Sequence, residues 1–116
     1  MGDCIFCKII RGEINTQKVY EDNDILAFHD AFPVAETHVL VVPKKHIDSL
    51  SHVEETDLEL VGKINLAIPK LAETLGLKAG FKTLINTGRA GGQTIFHLHY
   101  HILSGRFTKK DGLHQA

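Results

Sequence analysis

The chain has 116 residues, 43% of them hydrophobic, which suits one compact domain over residues 1–116 and argues against disorder. Thirteen basic against fourteen acidic side chains leave a formal charge of −1, which speaks against an electrostatic binder of nucleic acid or of a membrane surface. The longest apolar run, Val39 to Val42, is far short of the ~18 residues a membrane span requires, and Met1-Gly2-Asp3-Cys4 shows no secretory signal. Two cysteines three positions apart are too few for a disulfide scaffold, so a cytoplasmic location is the default expectation.

In chain order, Cys4 to Ile10 reads as a short helical turn with Ile5, Phe6 and Ile9 on its apolar side. Val19-Tyr20 and Ile25 to Phe28 flank the polar stretch Glu21-Asp22-Asn23-Asp24, a hairpin signal. His38 to Val42, closed by Pro43, reads as a buried strand. Val61, Ile64, Ile68, Leu71 and Leu75 recur at helical spacing behind Leu58, with Gly76 as a C-terminal stop. Ser51 and Glu54 have capping-box spacing, and Asp57 offers a later start. Pro69, inside this pattern, removes a backbone donor and predicts a kink. Phe81 to Asn86 and Leu98 to Leu103 read as strands joined by the glycine-rich Thr87 to Thr94. The expected fold is α+β: an antiparallel sheet of about five strands, one long helix and a short N-terminal helix.

Eight histidines are roughly three times the ordinary share, and His97, His99 and His101 alternate. On a strand these three share one face while Leu98, Tyr100 and Ile102 share the other. Such a row suits an exposed imidazole face, a three-histidine zinc site, or phosphoryl chemistry. The preceding loop favours the last, because Gly91-Gly92 lets backbone approach an anion closely and Asn86 and Thr94 add neutral hydrogen bonds. A neutral imidazole is abundant at pH 7 and is a competent nucleophile toward phosphorus.

The segment His97-Leu98-His99-Tyr100-His101-Ile102-Leu103 resembles the His-x-His-x-His-x-x motif of the histidine triad family, in particular its HINT branch of nucleoside phosphoramidate hydrolases. Cys4 to Ile10, Ala27 to Asp30, Thr37 to His46 and Asn86 to Arg106 carry the same resemblance in the same order. It implies hydrolysis of purine nucleoside 5′-phosphoramidates (of AMP or GMP) through a nucleotidylated histidine. The implied nucleophile is His99, with His101 assisting the leaving group and His38 supporting the network. Asn86, Gly92 and Thr94 are implied at the α-phosphate, with Gln93 among the nucleotide contacts. Asp30 is implied at the ribose, and Ile5, Phe6, Ile9 and Phe28 in the purine slot. Ala31, followed by Phe32, stands where relatives usually carry a larger aliphatic, which opens the question of base preference.

Cys4-x-x-Cys7 is half of a zinc site, and by itself fits a redox pair or coincidence as well. Relatives that bind zinc imply His46 and His97 as the other ligands, a closed structural Cys2His2 set with no metal needed for catalysis; His97 in a purely hydrogen-bonding role is the alternative. His29, His52 and His114 have no such partners. The resemblance also implies a homodimer joining two sheets. Hydrolysis of dinucleoside polyphosphates, or nucleotide binding by a regulatory protein with vestigial activity, are the rival functions.

Overall fold

The computed structural model describes residues 4–107, so His114 and the tail beyond Phe107 lie outside the described residues. Helix α1 spans Ile5–Ile10, and its first turn is capped by Cys4, whose Sγ accepts the Cys7 N–H at 3.2 Å. Strands β1 (Lys18–Glu21) and β2 (Ile25–His29) form the expected hairpin, and β3 runs Ala35–Pro43. Helix α2 spans Leu58–Thr74, unbroken across Pro69, followed by β4 (Lys82–Leu84) and β5 (Tyr100–Phe107). All neighbours pair antiparallel in the order β1-β2-β3-β5-β4. The fold is the α+β arrangement the sequence predicts. Among the described residues no helix is long and apolar enough to cross a membrane.

The alternation of side chains divides the core between the two sheet faces. Ile25, Ala27, Val39, Val41, Tyr100 and Ile102 pack with Ile64, Ile68 and Leu71 of α2. Leu26, Phe28, Leu40 and Val42 form the opposite face and pack with Phe6 and Ile9 of α1. His38 stands two residues before Leu40, and His101 is paired with Leu40, so both rings belong to the α1 face. The sheet therefore reserves one face for a conventional core and lets the other carry polar chemistry.

Three local features differ from the sequence expectation. The last strand enters the ladder at Tyr100 rather than Leu98, because the Leu98 N–H donates to Ile47 O at 2.7 Å, in the segment that follows β3. The fourth strand is trimmed to Lys82–Leu84. Before α2, the Ser51–Glu54 box gives way to Ser49, whose Oγ accepts the Ser51 N–H, and to Asp57, whose carboxylate accepts the Glu54 N–H. The C-terminus of α2 is as expected. Gly76, at φ +74°, lets its own N–H reach Glu73 O and the Leu77 N–H reach Ala72 O, the paired bonds of a Schellman stop.

Ile64 is fully enclosed between α2 and the sheet. Ile64→Ala should lower unfolding free energy by about 2–5 kcal/mol in urea denaturation. A loss below about 1 kcal/mol would show that α2 does not seal this face.

Candidate active site and metal centre

The rings of the triad are buried at the α1 face, where Phe6 lies edge-on to His99 with centroids 5.0 Å apart. Main-chain groups place the ring protons of His97, His99 and His38, and His38 in turn places that of His101. The Nδ1–H of His99 donates to His97 O at 2.7 Å, which puts the ring's lone pair on Nε2. His38 Nδ1 accepts the Val34 N–H at 3.2 Å, so its proton sits on Nε2, which donates to His101 Nδ1 at 2.9 Å. His101 is thereby held as the Nε2–H tautomer. The sequence reading missed the part played by Val34. A backbone N–H carries no residue signature, and only the fold brings it to the ring.

Asp30 extends this chain. Its Oδ1 accepts the Phe32 N–H at 2.8 Å, and its Oδ2 lies 3.4 Å from His38 Nε2. Burial depresses the His38 pKa; Asp30 opposes the shift and His99 reinforces it. Protonation of His38 would also set an Nδ1–H against the Val34 N–H. The neutral ring is the form the site is built around.

The glycine loop is a short helical turn, Arg89–Gly91, between Gly88 at φ +71° and Gly92 at φ +89°. The Gly91 N–H closes on Gly88 O, and the Gly92 N–H on Arg89 O. Gly92 thus serves through its left-handed backbone, which an L side chain rarely adopts. Asn86 is buried beside the loop and Thr94 is exposed at its end. Gln93 is enclosed, and its side-chain amide is bonded to protein groups on every side. Of the four apolar slot residues, Phe6, Ile9 and Phe28 are buried together, while Ile5 is 43% exposed at the rim.

Cys4, Cys7, His46 and His97 converge, with their four ligand atoms all within 4.8 Å of one another. Cys4 Sγ lies 3.2 Å from His97 Nδ1, and Cys7 Sγ lies 3.3 Å from His46 Nδ1 and 3.6 Å from His97 Nδ1. A tetrahedral zinc ion with ordinary bond lengths separates such atoms by about 3.4–3.8 Å, so these residues fit the ion. The outer nitrogens support the fit. His97 Nε2–H donates to Pro43 O at 2.8 Å and His46 Nε2–H to Asp48 Oδ1 at 2.7 Å, which turns both Nδ1 lone pairs inward. Asp48, two residues after His46, is a further supporting residue that spacing alone could have suggested. Burial pushes the His97 pKa down to about 4, and burial followed by the Cys4 contact pushes Cys7 up to about 11. Binding a cation would displace the Cys7 proton. Asp30, His38 and His101 form a second close group, the hydrogen-bonded chain already described. His29 is exposed at the end of β2, and exposed His52 contacts Ser49 Oγ through Nδ1 at 2.8 Å.

A family profile described as the HIT domain matches residues 11–108. The chain is 52% identical to protein HitA of Neisseria gonorrhoeae over 103 residues, covering 89% of this chain and 96% of that protein. It is 48% identical to an uncharacterized HIT-like protein of Synechococcus elongatus over 104 residues, 90% and 91% of the two chains. A solved HIT family hydrolase from Legionella pneumophila superposes with a TM-score of 0.87 at 45% identity, covering 90% of this chain and 94% of that one. A histidine triad protein from Clostridium difficile gives 0.87 at 50% identity, with 91% and 93% covered. The chain belongs to the HIT domain family.

The tautomer arrangement has a consequence for stability. His97 titrates near 4 when folded against 6.5 for a free ring, and His38 is lowered too. The unfolded chain binds more protons between those values, so stability is full above about pH 6.5 and falls as the pH drops toward 4. Each such ring contributes a slope approaching about 1.4 kcal/mol per pH unit. Urea unfolding of chelator-treated protein at intervals from pH 7.5 to 4.5 should show this decline; a flat profile would contradict buried neutral rings.

Proposed function

We propose that this protein is a nucleotide hydrolase that cleaves purine nucleoside 5′-phosphoramidates through a nucleotidylated His99. The observation that carries this reading is the bond from His99 Nδ1–H to His97 O, which presents Nε2 as the attacking atom. Relatives support the class: the one from Legionella pneumophila is a HIT family hydrolase, and one from Candida albicans, 36% identical with a TM-score of 0.79 over 86% of this chain and 73% of that one, is a histidine triad nucleotide-binding protein.

In this mechanism the purine enters the slot of Ile5, Phe6, Ile9 and Phe28, and Asp30 takes the ribose hydroxyls. Asn86, Thr94 and the Gly92 turn hold the α-phosphate. His99 Nε2 attacks phosphorus as the P–N bond breaks, and the amine leaves with the bonding pair and takes a proton from water. His101 supplies a hydrogen bond from Nε2–H rather than the proton itself. Giving that proton away would leave an imidazolate, because Nδ1 already accepts from His38. Water then attacks the His99–phosphorus bond, releasing the nucleoside monophosphate and restoring neutral His99. Two displacements replace one difficult step.

The Cys4, Cys7, His46 and His97 set belongs to this reading as a structural zinc site. Its four protein ligands close the coordination sphere, so the ion would stabilise the fold and take no part in the displacement. A homodimer is part of it as well. Strand β4 lies at the edge of the sheet beside half-exposed Phe81, a location suited to pairing with a second copy.

Two outcomes are expected. His99→Ala should retain AMP binding within a few-fold in calorimetry, while turnover of a fluorogenic adenosine phosphoramidate falls by about three orders of magnitude or more. Turnover close to that of the unaltered protein would favour direct attack by water. Purified protein should hold one zinc per chain by elemental analysis, and Cys4→Ser should lose the metal and melt several degrees lower. Metal-free protein with an unchanged melting temperature would remove zinc from the account.

A further inference from the structure

Gln93 is only 3% exposed, although it sits in a loop whose other members are mostly open to solvent. Its hydrogen bonds are all made within the protein. Oε1 accepts the Gly88 N–H at 2.9 Å, while Nε2 donates to Asp48 O at 2.8 Å and Ile95 O at 2.9 Å. Its backbone N–H donates to Gly88 O at 3.0 Å. One amide thus uses both of its protons and its oxygen to close a loop flanked by two left-handed glycines, Gly88 and Gly92.

We propose that Gln93 is a positioning residue: it locks the Gly88–Gly92 turn onto the Asp48 segment, so that the phosphate-holding loop is built before a nucleotide arrives. This inference rests on the functional reading above and differs from the resemblance, which places Gln93 among the nucleotide's own contacts. The physical need is clear. A loop with two glycine hinges has many conformations, and a ligand that orders it forfeits the corresponding part of its binding energy. Gln93 meets that cost during folding, because its own backbone adjoins Gly92 and its Oε1 holds Gly88. Its hold on Asp48 O also fixes the loop relative to His46, whose ring Asp48 supports.

The role is selective. The base and ribose contacts of the proposed site lie on α1, β2 and Asp30, none of which Gln93 bonds: its side chain holds Gly88 N–H, Asp48 O and Ile95 O. Loss of Gln93 should therefore weaken ligands in proportion to their use of the phosphate loop. In calorimetry, Gln93→Met should bind AMP about tenfold or more weakly, the equivalent of one or two hydrogen bonds. Adenosine affinity should stay within twofold. Equal weakening of both ligands, or no weakening of AMP, would overturn the positioning role. Unaltered protein that binds AMP no better than adenosine would instead overturn the functional reading, so the two failures are distinct. A second measurement needs no variant. In ligand-free protein, hydrogen exchange should find the Gly88 amide and the Gln93 side-chain amide as protected as amides of β5. Free exchange at both would show that the loop is not prebuilt and would also overturn the proposal.

Discussion

A neutral imidazole has one donor and one acceptor, and the site depends on the backbone deciding which nitrogen is which. The carbonyl of His97 fixes His99, the amide of Val34 fixes His38 and through it His101, and the carbonyl of Pro43 fixes His97. Pro43 ends β3, Val34 lies one residue before that strand and His97 three residues before β5, so the protons are placed by main chain anchored at the ends of the sheet's strands. Burial reinforces this by penalising the charged forms of His38 and His97. The outcome is a set of four rings with assigned nitrogens, of which His38 and His97 are held toward the neutral form by burial.

His97 joins the two halves of the site. Its ring faces Cys4 and Cys7, and its carbonyl accepts from His99 two residues later. The Leu98 N–H then ties this stretch to Ile47, one residue from His46. The same segment continues to Asp48, which receives Gln93 from the glycine loop. The candidate metal centre, His99 and the glycine loop are therefore three outcrops of one hydrogen-bonded framework. A single residue, His97, stands between Cys4 and Cys7 on one side and His99 on the other.

Much of this was legible in the residues. The period-two row of histidines against Leu98, Tyr100 and Ile102 marked a strand with one chemical and one apolar face, and that division stands in the structure. The heptad-like spacing from Val61 to Leu75 located α2, and Gly76 located its end. The spacing of Cys4 and Cys7, joined to His46 and His97, named a set that the fold brings together. What the residues could not show depends on backbone placement. Leu98 leaves the ladder because Ile47 O, distant in sequence, is the nearer partner. The tautomers depend on Val34 and Pro43 as main-chain groups, whose identity carries no signal. The resemblance places Gln93 at the nucleotide, and its burial among carbonyls, the basis of the bracing role proposed above, is visible only in the structure.

The central claim is that His99 is held with its proton on Nδ1 and its Nε2 ready to attack phosphorus. Nitrogen NMR of protein labelled at its histidine rings, with His99 assigned by substitution, reads this directly at neutral pH. The account predicts a protonated Nδ1 and an unprotonated Nε2 for His99, together with the Nε2–H form for His38 and His101. An Nε2–H tautomer at His99, or a ring exchanging freely between both forms, would contradict it.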